Sequence, residues 1–446
     1  MWRQDEIEAF ENAVALADPV AVGGRVQSCT AHAATVHGLQ GFVGIGDACR
    51  IARPGAHAAA GDGLLAEVVA LVDGGARLLA YDRLDGVTPG TAVRLDKRSS
   101  SARPHASWKG RVLDAMGQPI DGGPPLLQGE RAYPIDAQPI AAHERALMGP
   151  RLPLGVRAMD LFTPCRAGQR LGIFAGSGVG KSSMVSMLAR GAAADVMVIG
   201  LIGERGRELQ EFLQHTLGPE GRARSVVIAA TSDTSAMTRR RAAHLTLTVA
   251  EYFRDQGLEV LCMLDSVTRF AMALREIYLA AGEPPTTKGY PPGVFAELPR
   301  LLERAGPGVA AGRITGLFTV LVEGDDTSEP VADAVRGILD GHVVLDRKIA
   351  EAGRFPAIDV LQSISRSAPG CYTPDERALV AHARTSMQSY AAMAELVELG
   401  AYRAGANPAL DEAIRLRPAL EALLAQDVDE PCDGDPFAAL AAALRP

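Results

Sequence analysis

The stretch "GSGVGKSS" spans residues 176–183 and follows the apolar run "LGIF" at 171–174. A buried strand, a glycine loop and a helix start lie in that order. Gly176, Gly178 and Gly180 let the backbone wrap tightly and aim N–H groups at phosphate oxygens. Ser177, Val179 and Ser183 complete the cradle. The helix that follows presents its N-terminus to the same anion. Lys181 can reach the β- and γ-phosphates as a point charge on a flexible stem, and the Ser182 hydroxyl suits Mg2+. Ala175 stands where the usual pattern begins with glycine, and the three glycines keep the physics intact. The chain holds 40 Arg and only five Lys, so a lysine here is a choice against its own bias.

Working outward, five short apolar runs punctuate the region from about 150 to 370: 171–174, 196–202, 226–230, 260–264 and 317–322. Continuous apolar runs fit strands buried on both faces of a parallel sheet. Each ends in polar or glycine-rich sequence: the cradle, Glu204, Ser232-Asp233, Asp265, and 323–326. In open α/β sheets ligands sit outside the carboxyl ends of the strands, so these groups should converge on one crevice. The expected class is α/β, a P-loop core on a parallel sheet.

Two carboxylates carry the chemistry. "VLCMLDSVTR" places Asp265 at a strand end, where it can hold Mg2+, usually through water. "LIGERGREL" places Glu204 at the end of the strand after the cradle helix. In-line attack on a γ-phosphate needs a water polarised by such a carboxylate. The competing reading of Glu204 is an ion pair with Arg205 or Arg207. Positive charge beyond Lys181 and the metal is also needed, and Arg366 in "SISRSAPGC" is one candidate among the many arginines.

The flanks read differently. Short runs separated by Gly and Asp turns from 20 to 97 suggest a small β-barrel. Residues 97–107 read as a polar linker and 98–370 as the ATPase domain. Residues 1–19 can form a helical tail with Ile7, Phe10 and Val14 on one stripe, packed at home or on a partner. Residues 371–446 read as helical, with Thr373, Pro374 and Glu376 starting a helix and Gly400 as a stop.

Composition sets limits. With 446 residues, 47% hydrophobic and 22% charged, the chain can bury several cores. A net charge of −8 disfavours non-specific nucleic-acid binding. Six scattered cysteines without metal spacing read as reduced thiols of a cytoplasmic protein. No apolar run reaches the roughly 18 residues that a membrane span needs, so any membrane role is peripheral.

The residues also resemble a known family. "GRVLDAMGQPIDGGPPL", "GIFAGSGVGKSS", "LIGERGREL", "LDSVTRFAMALREI", "GEPPTTKGYPPGVFAELPRLLERAG", "ADAVRGILDGHVVLDRKIAE" and "LGAYRAG" are similar, in order and spacing, to flagellar and type III secretion ATPases. These are relatives of the catalytic subunit of rotary ATP synthases. The resemblance implies an N-terminal β-barrel, a RecA-like ATPase core and C-terminal helices. It implies a homohexamer with ATP and Mg2+ at subunit interfaces. On this chain it makes Glu204 the catalytic carboxylate, Arg205 an interface or phosphate-proximal residue, and Arg366 an arginine finger acting on the neighbour's nucleotide. Phe355 falls where the family usually stacks Tyr on adenine.

The resemblance further implies a stator-like regulatory dimer at the N-terminal tail. A central stalk protein, an export gate and chaperone–substrate complexes meet the other end, at the cytoplasmic face of the inner membrane. The flagellum-specific branch fits best, with a virulence-type secretion ATPase or an ATP synthase catalytic subunit as alternatives. A hexameric nucleic-acid motor would need a basic barrel with exposed aromatics. Residues 1–100 instead hold nine Lys and Arg against twelve Asp and Glu. A non-catalytic ring subunit has little use for Glu204.

Overall fold

The computed structural model describes residues 22–53, 63–96, 100–322, 329–430 and 434–445. The tail with Ile7, Phe10 and Val14, and the run 323–326, lie outside the described residues. The chain divides into two compact units, one of residues 1–100 with 280–282, the other holding the rest.

The first unit is built on six strands: β1 (Gly23–Cys29), β2 (Ala33–His37), β3 (Ala48–Ile51), β4 (Leu64–Val72), β5 (Gly75–Ala80) and β6 (Ala92–Leu95). They close into an antiparallel barrel in the order β1-β2-β5-β4-β3-β6. Val26, Val36, Ile51, Val68 and Leu78 fill its interior. Closure leaves no strand edge open to pairing with another chain. Asp73-Gly74 forms the two-residue turn between β4 and β5, with Gly74 at φ 74°. That left-handed backbone suits glycine.

The second unit is built on a twisted sheet. Its strands are β7 (Val112–Leu113), β8 (Arg170–Ala175), β9 (Val196–Ile202), β10 (Ser225–Ala230), β11 (Glu259–Asp265), β12 (Arg313–Leu321), β13 (Gly341–Leu345) and β14 (Ile358–Ser365). Their order is β14-β13-β8-β12-β11-β9-β10-β7, and a two-residue strand at Gly306–Pro307 pairs beside β12. Neighbours along that order run parallel except β13 and β14. All five apolar runs are strands of this sheet. β9 and β10 are buried at every position, as a strand covered on both faces must be. β13 and β14 escaped the sequence reading because their burial alternates, so they carry no continuous apolar run.

Helices cover both faces. α1 (Lys181–Gly191) packs Met184, Val185 and Leu188 into one core. α2 (Gly206–Glu211) follows β9. α3 (Ala236–Asp255), α4 (Val267–Ala281), α5 (Pro292–Leu302) and α6 (Pro330–Ile338) pack Phe253, Phe270, Leu298 and Val335 into the core of the opposite face. Three further helices, α7 (Pro374–Ala391), α8 (Pro408–Leu424) and α9 (Pro436–Ala443), join the α1 core through Val380, Ala383, Leu416, Leu420 and Leu440.

The start of α7 is fixed locally. Thr373 Oγ1 accepts from Glu376 N at 3.3 Å, and Glu376 Oε2 accepts from Thr373 N at 2.7 Å. That reciprocal pair satisfies two otherwise orphaned donors. Gly400 ends a separate short helix, Ala394–Glu398, rather than α7 itself.

Candidate functional site

The cradle forms between two rigid elements. β8 ends at Ala175, and α1 begins at Lys181. Gly178 and Gly180 turn the chain with φ 80° and 92°, a region that side chains with a Cβ enter at a cost. Val179 is buried beneath the loop and holds it down. Arg347 Nη2 donates to the carbonyl of Ser177 at 3.0 Å and braces the loop from outside.

A cleft of about 590 Å³ opens there, at the carboxyl ends of β8, β9 and β11. Gly176, Ser177, Gly178, Gly180 and Ser182 line it. Ser182 is exposed to it, and Ser183 is half-buried outside the lining.

Three charged side chains from three elements converge in the cleft. Lys181 Nζ donates to Glu204 Oε1 at 3.3 Å and also to Asp265 Oδ1. Burial disfavours the Lys181 ammonium, but Asp265 and Glu204 outweigh it and hold its pKa above the ordinary value. Burial pushes the Glu204 carboxyl up to about 7, against the pull of Lys181. Asp265 and a hydrogen bond shared with Glu208 push it the same way. That bond in turn holds Glu208 below its ordinary value.

The two arginines beside Glu204 are paired elsewhere. Arg205 pairs with Glu208 at 3.6 Å and Arg207 with Glu211 at 3.0 Å, both along the surface of α2. Among the described residues Glu204 makes no ion pair with either arginine and pairs instead with the lysine of the cradle.

The remaining expected residues fall in different places. Arg205 lines the cleft, with its side chain 79% exposed. The Phe355 ring packs on the cradle: a Cβ built on Gly180 would lie 3.3 Å from its Cδ1 and Cε1. Phe355 remains 43% exposed. Gln426 N donates to the Phe355 carbonyl at 2.8 Å and fixes that backbone. Arg366 is not in this cleft. It is exposed just beyond the last residue of β14, where its N–H donates to the Asp340 carbonyl at 2.9 Å.

Two residues escaped the sequence reading. Arg269, in the first turns of α4, lines the cleft beside Glu204. Gly203 makes room for it, since a Cβ there would approach Arg269 Cβ to 2.9 Å. Among the described residues the Arg269 Nε is buried without a hydrogen-bond partner. The signal was its position four residues after Asp265, one helical turn from the strand end. Thr319 is the second: its hydroxyl donates to Asp265 Oδ1 at 2.7 Å. It sits inside a run read only as an apolar strand.

A strand-end glycine loop, a lysine and two carboxylates thus meet in one cleft. Residues 155–365 match the nucleotide-binding domain of the ATP synthase alpha/beta family, and 372–444 match the C-terminal domain of the T3SS EscN ATPase. The flagellum-specific ATP synthase of Caulobacter vibrioides is 55% identical over 424 residues, covering 94% of each chain. The chain belongs to the flagellar and type III secretion ATPase family. A type 3 secretion system ATPase of Xanthomonas euvesicatoria is 46% identical to this export ATPase, over 89% of this chain and 88% of its own. Among solved structures, the assembled ATPase EscN of enteropathogenic E. coli, in complex with its central stalk EscO, superposes with a TM-score of 0.84 at 35% identity. The match covers 95% of the export ATPase and all of the EscN chain. The barrel, the parallel core and the C-terminal helices of the export ATPase are therefore those of its family.

Proposed function

We propose that this chain is the Mg-ATP-hydrolysing subunit of a homohexameric ring in a flagellar protein export apparatus. Glu204 facing Lys181, rather than its neighbouring arginines, carries the reading. A triphosphate entering the cradle draws Lys181 toward its oxygens. Both carboxylates then lose their cationic partner. Glu204 orients the attacking water and takes up its proton as the bond to the γ-phosphorus forms and the bond from that phosphorus to the bridging oxygen breaks, so that ADP leaves. Gly176 to Ser183 supply backbone N–H groups and the helix N-terminus to the phosphates. Arg205 and Arg269 add positive charge at the rim of the cleft. Phe355 offers an aromatic face to adenine; it lacks the hydroxyl of a tyrosine, so stacking is its whole contribution.

The donor set fits a magnesium ion. Ser182 and Asp265 bring two hard oxygen donors to the cleft, few enough that phosphate and water must complete the coordination, as Mg2+ prefers. When bound, the ion neutralises charge developing on the phosphate oxygens.

The proposed partners follow from the family. Arg366 serves the neighbouring subunit's nucleotide. The N-terminal tail takes the stator-like regulatory dimer. The central stalk, the export gate and chaperone–substrate complexes meet the C-terminal side, at the cytoplasmic face of the inner membrane. No described helix is long and apolar enough to cross that membrane. The acidic chain gives no support for a nucleic-acid partner. A virulence-type secretion ATPase is the second reading, favoured by the Xanthomonas relative. Complementation separates the two. In a strain lacking its own copy, the intact gene restores flagellar filaments and motility, and Glu204→Gln does not. Restored secretion of virulence proteins without filaments would move the assignment to the second branch.

A further inference from the structure

Thr319 is a hydroxyl in an apolar strand. β12 runs from Arg313 to Leu321, and every residue from Ile314 to Val320 is buried. Packing alone favours valine at such a position, because it has the same shape, prefers strands and needs no partner. The other threonine of β12 serves the fold, since Thr315 Oγ1 accepts from Gly168 N at 2.9 Å. Thr319 instead donates to Asp265 Oδ1 at 2.7 Å, with its side chain fully buried.

Asp265 therefore receives two donors on one oxygen, Lys181 and Thr319. Among the described residues Oδ2 has no protein donor, and Asp265 lines the cleft. The two donors differ in freedom. Lys181 is the group that must swing to the phosphates when nucleotide enters. Thr319 cannot follow, because it is locked in the middle of the sheet. β12 pairs with β8 on one side, Ile173 opposite Thr319, and with β11 on the other, Leu264 opposite Phe318. One hydroxyl thus joins the strand that carries the metal-facing carboxylate to a strand paired with the one that carries the cradle.

We propose that Thr319 is a positioning residue for the metal-bound nucleotide. It holds the Asp265 carboxylate in orientation after Lys181 has left, with Oδ2 as the oxygen offered to the ion or its water. It therefore sets the response to Mg2+ and not the affinity for free nucleotide. The inference rests on the reading of Asp265 as the metal-facing carboxylate.

The test uses the full chain with Thr319→Val, Thr319→Ser and Asp265→Asn. Binding of a fluorescent ATP analogue is measured without and with Mg2+, and hydrolysis is titrated with Mg2+ at fixed ATP. Thr319→Val is expected to bind metal-free nucleotide within about twofold of the parent chain. Its half-saturating Mg2+ concentration rises about tenfold, the scale of one hydrogen bond to a charged group. Thr319→Ser, which keeps the hydroxyl, returns the Mg2+ response to within about twofold of the parent. An unchanged Mg2+ response in Thr319→Val overturns the proposal, as does a serine variant that behaves like the valine one. Should valine prevent folding, judged by thermal melting, Thr319→Cys gives the same comparison with a weak donor. Asp265→Asn separates the two levels. If it too leaves the Mg2+ response intact, the reading of Asp265 falls; if it alone abolishes the response, only the role of Thr319 falls.

Discussion

Arg366 and Lys181 lie at opposite ends of the same sheet. At the cradle end, Ala175 pairs with Leu345 and Leu345 with Ile358. At the far end, Gly341 pairs with Ser365, and Asp340 bonds both Arg170 and Arg366 through the backbone. The length of β8 between the two ends is about 17 Å, too far for one arginine side chain to span to its own cradle.

That separation fits the proposed role of Arg366 at the nucleotide of a neighbouring subunit. Arg366→Ala is expected to lower turnover in assembled rings by about a thousandfold while ATP binding stays within about threefold. Rings mixed from Arg366→Ala and Glu204→Gln subunits should regain part of the activity, because some interfaces again hold both groups. Phosphate release from verified mixed rings measures this, and no recovery would refute the trans assignment.

Glu204→Gln is expected to remove hydrolysis by a factor of about a thousand and leave ATP binding in place. Glutamine keeps the shape but cannot take up proton density from water. Lys181 keeps its contact with Asp265, so the cradle is not disturbed. Equilibrium ATP binding beside single-turnover hydrolysis reads both effects, and comparable losses in the two would deny Glu204 its role.

The raised Glu204 pKa has a stability consequence. Its ordinary value is 4.5, and the fold lifts it to about 7. The nucleotide-free fold binds this proton more tightly than the unfolded chain does. The stabilisation is complete below about pH 4.5 and is lost as pH rises to about 7. The melting temperature of the parent chain, relative to Glu204→Gln, should therefore fall across that window. A difference that stays flat with pH would show that the carboxyl is not perturbed.

Phe355 and Gly180 are coupled by contact. Phe355→Ala should weaken ATP binding by about tenfold or more, the scale of one lost base stack, and Phe355→Tyr should not. Gly180→Ala should also weaken binding, because a Cβ there meets both an unfavourable φ of 92° and the Phe355 ring. Titration of a fluorescent ATP analogue distinguishes the cases; tight binding by Gly180→Ala would mean that the loop relaxes freely.

Much of this was legible in the chain. Continuous apolar runs marked the central strands, because a strand covered on both faces has no polar side to show. The cradle was legible because its glycines, lysine and serine are contiguous. Thr373 and Glu376 marked a helix start because capping is local. The antiparallel edge β13–β14 was not legible, since half-buried strands alternate and resemble loop sequence.

By itself, the sequence determined that a phosphate cradle opens an α/β core, and that carboxylates end the strands beside it. Tertiary structure decided which groups those carboxylates face. Glu204 could have paired with Arg205 or Arg207, and nothing local forbids it. It faces Lys181 because β9 and β11 pair in parallel and bring their ends together across the cradle. Thr319 meets Asp265, and Arg366 lies at the sheet end away from Lys181, for the same reason. Strand order sets distances between residues that are far apart in the chain, and strand order is a property of the packed sheet.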